Sequence, residues 1–234
     1  MSPKKIKYLF IIPCRKNSSR VKYKNKRKIK GKSLYETTIL QGLKIKDKNS
    51  KLIVNTDDDE IINYCLYNKV DFFKRPKRLS SNNSKISDAI VHMLNSYEKK
   101  NNCIVNNIIL LQVTSPLRRL IDIKKAIQLY ESKNFHSLCS VCETNVSPYW
   151  TNYLNKDNSL KNFLKKKYLK RHSQDLPIRY QVNGAIFISE KNSYIKYRRF
   201  FNRPQSIAYI MPIENSIDID TEFDYKISKR LIEN

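Results

Sequence analysis

The sequence predicts an α/β protein: a mostly parallel sheet with helices on both faces. Three observations lead there. Short runs such as Tyr8–Ile12 and Asn107–Leu111 are apolar at consecutive positions, as strands buried on both faces are. Longer segments with apolar residues three and four apart lie between such runs. The chain has 234 residues, 40% of them hydrophobic, which suffices for the core of one such domain. Strands alternating with helices require crossover connections, and these favour parallel neighbours.

The elements follow in order. Tyr8–Ile12 is a central strand, and Ser33–Leu43 is a helix after a turn at Gly31. Leu52–Asn55 is a second strand. Asp57–Asp59 opens a helix running to Tyr67, with its acids at the end where the helix dipole favours them. Asp71–Phe73 is a third strand. Ser87–Lys99 is helical through Ile90, Val91, Leu94 and Tyr97. Asn107–Leu111 is a strand, Asp122–Glu131 a helix and Ser137–Cys142 a strand. From about Glu143 to Gln181 the rhythm weakens into a basic, aromatic stretch that holds the only tryptophan, Trp150. Order returns with strands at Asn183–Ser189 and Ile207–Met211 and a capped helix at Thr221–Ile232. No repeat, low-complexity tract or separating linker interrupts the chain, so residues 1–234 read as one domain.

Forty-six lysines and arginines against 21 acids give a formal charge of +25. That balance suits anionic partners: nucleic acid, an anionic membrane surface, or phosphorylated and acidic small molecules. The lysines are spread over the whole chain, however, and accompany abundant Asn, Ile and Tyr and only 3 glycines. Codon bias explains that spread better than a nucleic-acid footprint, which should cluster. The opening apolar run stops at Pro13, too short for a secretion leader or a membrane span, so the expected location is the cytoplasm. Five cysteines without framework spacing suit reduced thiols. Cys139 and Cys142 form a C-x-x-C within a strand, where residues three apart face opposite ways and cannot converge on a metal.

In an open α/β sheet ligands sit beyond the carboxyl ends of the strands, where four loops of this chain would gather. The first, Cys14–Asn25, carries Arg15, Ser18, Arg20 and Lys24, the hydroxyl and cations that a triphosphate needs. On composition alone it reads equally well as a solvated basic surface. Gly31-Lys32-Ser33 is not a phosphate-binding P-loop, because Lys26 stands where the upstream glycine belongs. No G-x-G-x-x-G is present either. The second loop is Thr56–Asp59, and the third runs from Gln112 to Arg118. The fourth holds Asp218 and Asp220 before a helix. Residues i and i+2 of extended backbone point the same way, and two carboxylates on one side suit a hard cation such as magnesium. Helix capping by Asp220 or Thr221 explains one acid but leaves the other over. His92, His136 and His172 have no evident partner for nucleophilic catalysis.

As a set, "IIPCRKNSSRVKYKN", "VNTDDDEI", "LLQVTSPLR", "QDLPIRYQVNGAIFI" and "SIDIDTEFD" resemble the acylneuraminate cytidylyltransferases, also called CMP-sialic acid synthetases, in order and over nearly the whole chain. The resemblance implies a Rossmann-like nucleotidyltransferase fold. It also implies a Mg2+-dependent reaction of CTP with a 2-keto sugar acid, giving a CMP-sugar and pyrophosphate. It implies that Arg15, Ser18 and Lys24 hold the triphosphate, that Asn25 supports their loop, that Asp57 lies near the nucleotide and that Arg75 faces it. Gln112 and the loop through Thr114, Ser115 and Arg118 would line the sugar-acid pocket, with Asn183 and Phe187 as its wall. Asp218 and Asp220 would bind magnesium, one of them helping to deprotonate the attacking hydroxyl. Residues 143–181 match a dimerisation arm that reaches the neighbouring subunit's site. The chain departs from the family pattern at Ser19, where lysine is usual and Arg20 supplies the charge instead, and at Ser80–Ser84, Ser173 and Gln181. The serine–arginine order is similar to 3-deoxy-manno-octulosonate cytidylyltransferases, but Thr114 stands where those enzymes carry an acid. A nine-carbon acid is therefore the expected substrate. An eight-carbon acid, or a degenerate fold that binds nucleic acid, stands as the alternative.

Overall fold

A computed structural model describes residues 2–16, 21–81, 83–132, 135–201 and 205–234. Its principal sheet has seven strands: β1 (Lys4–Cys14), β4 (Lys51–Thr56), β5 (Phe72–Lys74), β6 (Cys103–Leu111), β7 (Ser137–Glu143), β8 (Tyr180–Glu190) and β9 (Ser206–Ile210). Across the sheet they run β5-β4-β1-β6-β8-β7-β9. All neighbours pair in parallel except β8, which is antiparallel to β6 and β7. The mostly parallel sheet is therefore as expected. The reversal of β8 carries no sequence signal, because a strand buried on both faces shows the same apolar run in either direction.

Helices cover both faces. α1 (Leu34–Ile45), α2 (Asp59–Tyr67) and α4 (Leu120–Ser132) pack with Phe10, Ile12 and Cys14 of β1 in one buried cluster. α3 (Ile86–Asn101) and α5 (Lys191–Tyr197) pack with Leu9 and Ile11 of the same strand in the other. This alternation along β1 is the two-residue period of a strand shared between two layers. α5 was not foreseen: seven residues show less than two turns of periodicity.

Local chemistry sets the helix starts. Ser33 caps α1 and forms a reciprocal box with Glu36, an arrangement worth about 1 kcal/mol. A hairpin, β2 (Lys28–Ile29) and β3 (Lys32–Ser33), precedes it. Its two-residue turn places Lys30 at φ 49° and Gly31 at φ 78°, as this turn type requires. Gly42 lets α1 approach β4: a Cβ there would fall 2.4 Å from Leu52 Cδ1. Thr221 and Asp224 form the capping box of α6 (Glu222–Glu233). Tyr225 of α6 donates to the Lys28 carbonyl at 2.7 Å, and Glu233 accepts from the Lys30 N–H at 3.1 Å. The C-terminal helix is thereby tied to the hairpin that follows the first loop.

Candidate active site

The parallel strands β1, β4 and β6 end together, with Cys14 opposite Thr56 and Ile11 opposite Leu110. Because β8 runs the other way, its N-terminal half, where Asn183 and Gly184 lie, reaches the same mouth. The expected loops therefore gather there, and they are bonded to one another.

Lys24 joins the first loop to the fourth. Its ammonium donates to the Ile219 carbonyl at 2.7 Å and to Asp220 Oδ1 at 3.1 Å. Asn25 Nδ2 donates to the Arg15 carbonyl at 2.8 Å, so it braces the first loop from within. The Lys16 N–H donates to Asp57 Oδ1 at 2.7 Å and fixes the second loop against the first. Arg15 Nη1 lies 3.4 Å from the Ser81 carbonyl. Arg75 is buried and donates to the side chain and carbonyl of Asn55, both at 3.1 Å. Burial pushes its guanidinium below the ordinary range, while Asp57 acts to raise it. Arg75 thus supports this region from below. Ser18 and Arg20 lie outside the described residues.

The third loop meets the fourth through the Ile219 N–H, which donates to the Thr114 carbonyl at 2.8 Å. Gln112 and Asp218 converge on Gly184. A Cβ on that glycine, at φ 74°, would stand 3.6 Å from Asp218 Oδ2 and 3.7 Å from Gln112 Nε2. Beside them opens a cleft of about 350 Å³ lined by Cys142, Gln181, Asn183, Ser216 and Asp218, among others. Asn183 borders the cleft, but its amide is engaged. It accepts from Ser140 Oγ at 2.6 Å and donates to Ser216 Oγ at 2.9 Å.

Asp220 is not the helix cap, since Thr221 and Asp224 do that work. Burial acts to raise the Asp224 carboxyl, but hydrogen bonds from Thr221 and Asp220 hold it below its ordinary value. Asp218 lines the cleft beside Gly184 and Asp220 accepts from Lys24, so both acids of the Asp218-x-Asp220 pair border this mouth. Two carboxylate ligands suit magnesium, which completes its shell with water and phosphate oxygens.

Three expectations are corrected. Arg118 does not line the cleft. It is 1% exposed, and its Nη1 donates to the carbonyls of Gln112 at 2.9 Å and Ala185 at 2.7 Å. Burial pushes its guanidinium down to about 9, with Asp122 opposing. Ser115 is likewise buried. Phe187 points to the opposite face, where it packs on Phe200 with ring centroids 5.1 Å apart; its neighbours Ile186 and Ile188 belong to the first cluster, and alternation between them sends Phe187 to the other side. In the C-x-x-C, Cys139 joins that same far-face cluster and Cys142 borders the cleft. Gln41, Asn55, Ser140 and Ser216 were missed. A buried polar residue inside an apolar run is a signal, and Asn55 carries it; the other three show their roles only once the strands are assembled.

A family model described as cytidylyltransferase matches residues 9–230. An N-acylneuraminate cytidylyltransferase of Escherichia coli O18:K1:H7 is 31% identical over 223 residues. The match covers 95% of this chain and 51% of that protein, so the chain spans about half the length of that relative. A CMP-N,N'-diacetyllegionaminic acid synthase of Legionella pneumophila is 26% identical over 229 residues, covering 97% of both chains. Among solved structures, CMP:2-keto-3-deoxy-manno-octonic acid synthetase complexed with CTP aligns with a TM-score of 0.68 at 13% identity. That alignment covers 97% of this chain and 98% of the other, a likeness of fold.

Proposed function

The chain belongs to the cytidylyltransferase family, and on that premise we propose that it joins CMP, taken from CTP, to the anomeric hydroxyl of a 2-keto sugar acid, a neuraminate-like nine-carbon acid, releasing pyrophosphate. One observation carries the reading. Lys24 bridges the cationic first loop and the Asp218–Asp220 loop, so phosphate-binding charge and paired carboxylates face one mouth.

Arg15 and Lys24 neutralise the triphosphate, and Asn25 and Asp57 hold their loop in place. Gln112 and the cleft beside Gly184 receive the sugar acid. The hydroxyl attacks the α-phosphorus and pyrophosphate departs, a displacement in which positioning and charge neutralisation supply most of the rate. Asp218 and Asp220 would hold Mg2+, which neutralises phosphate charge when bound. One of these carboxylates takes up the proton of the attacking hydroxyl.

The working unit is proposed to be a homodimer. A sugar acid carries a carboxylate, yet among the described residues the lining of the cleft includes Asp218 and Asp224 and no lysine or arginine. Residues 143–181 supply cations such as Lys165, Lys170 and Arg171, and they expose Tyr153, Leu154, Leu160 and Leu169 to solvent. Burial of that apolar surface by a second copy would bring these cations to the partner's cleft. All five cysteines are free and buried, which fits the reducing cytoplasm.

The test is pyrophosphate release from CTP with a panel of nine- and eight-carbon 2-keto acids. Release that requires Mg2+ and a nine-carbon acid is expected. Turnover confined to an eight-carbon acid would replace the substrate assignment. No release with any acid, together with steeply salt-dependent nucleic-acid binding, would overturn the reading.

A further inference from the structure

The antiparallel ladder between β6 and β8 ends at the pair Leu111–Ile186. The next positions in that register are Gln112 and Ala185. Their carbonyls cannot bond to each other, because both are acceptors. Arg118 Nη1 stands between them, donating to Gln112 at 2.9 Å and to Ala185 at 2.7 Å. A side chain thus closes the ladder where the backbone no longer can. The same guanidinium donates from Nη2 to Gln41 Oε1 at 2.8 Å, and Gln41 Nε2 returns a bond to the Arg118 carbonyl at 2.6 Å. Gln41 belongs to α1, the helix that follows the first loop and its hairpin.

Two features argue against a purely structural filler. First, these hydrogen-bond acceptors are neutral oxygens, so the cation is buried without a carboxylate bonded to it, an expensive arrangement in a core. Second, the two bridged carbonyls belong to Gln112 itself and to the residue after Gly184, where Gln112 and Asp218 converge. The nucleotide side is held by other bonds, from Asn25 to Arg15 and from Lys16 to Asp57.

We infer that Arg118 is a positioning residue that pins the open end of the β6–β8 ladder and so sets Gln112 and Gly184 for the sugar acid, not for CTP. The inference rests on the cytidylyltransferase reading for its substrate side. Its physical core, the clamp, is testable separately.

The experiment compares the full-length wild type with Arg118→Met, Arg118→Lys and Gln41→Leu. Arg118→Met should raise the KM for the sugar acid about tenfold or more, equivalent to about 1.4 kcal/mol, while CTP–Mg2+ binding by calorimetry changes less than about twofold. Arg118→Lys, with one compact donor group, should recover part of the loss. Gln41→Leu, which leaves the two carbonyl bonds intact, should raise the same KM about threefold, and it carries the test if Arg118→Met does not fold. Hydrogen exchange adds a readout independent of activity. The amides of residues 112–114 and 184–186 should exchange faster in the variants, while that of Lys16 keeps its protection. Equal losses toward both substrates, or a lower Tm with unchanged kinetics, would overturn the inference. Wild type that turns over no sugar acid would sink the functional reading instead, and unchanged exchange at both segments would then dispose of the clamp.

Discussion

Replacing Lys24 by methionine keeps the aliphatic stem and removes the ammonium, so it isolates the bridge between the two loops. The lysine side chain is only 12% exposed, and it makes two bonds of unequal worth. The one to the Ile219 carbonyl is short at 2.7 Å and shielded, and a charged donor of that kind contributes about 1.5–3 kcal/mol. The one to Asp220 is screened because that carboxylate is 37% exposed, so it adds about 0–1 kcal/mol. A total near 2 kcal/mol lowers the Tm of a chain this long by about 4–8 °C. On the proposed reading Lys24 serves the triphosphate, so its loss should also raise the apparent constant for CTP about tenfold or more, since each tenfold corresponds to about 1.4 kcal/mol. Differential scanning calorimetry and CTP titration at saturating sugar acid measure the two effects. Asp220→Asn, alone and combined with Lys24→Met, isolates their coupling. An unchanged Tm with unchanged CTP kinetics would refute both the bridge and its role.

Gly42→Ala should destabilise the fold without touching catalysis. Its methyl would meet Leu52 Cδ1 at 2.4 Å, and overpacking of about 1–3 kcal/mol, less the gain from alanine in a helix, leaves a Tm lower by a few degrees on thermal melting. Gly184→Ala should act in both ways. The backbone at φ 74° costs a side chain about 1–2 kcal/mol, so Tm falls; the methyl makes ordinary van der Waals contact with Asp218 and Gln112 and occupies the space between them, so on the proposed reading the KM for the sugar acid rises. Asp224 carries a pH dependence. Its carboxyl is held below its ordinary value of 3.8, so its contribution is complete above that pH and disappears as pH falls through the lower folded value. Asp224→Asn should flatten the acid limb of the stability curve in urea titrations between about pH 5 and 2.

The apolar runs disclosed the strands because burial on both faces leaves a one-dimensional signature. The order of strands and the direction of β8 left none, since these depend on which neighbour each run meets. The same limit governs the site. Lys24, Asn25, Asp57, Gln112 and the aspartate pair reached the mouth as their positions after strands implied. Arg118 also follows a strand, and nothing local distinguishes a guanidinium turned toward ligand from one turned inward onto two carbonyls. Phe187 was misplaced because its even distance from Asn183 suggests a shared face, whereas the β7–β8 register shifts between the two and strict alternation holds only from Ile186 to Ile188. Gln41 was invisible because its partner lies 77 residues away.

The long excursion between β7 and β8 begins and ends at adjoining points, for the Thr144 N–H donates to the Arg179 carbonyl at 2.9 Å. An insertion whose two feet are already joined can grow, shrink or be exchanged without shifting the strands beneath it, and chain entropy charges little for the added length. On the proposed reading, the stretch between these feet is free to diverge while the strand ends below it stay fixed, so variants of one scaffold would come to accept different acids by rewriting a single detour.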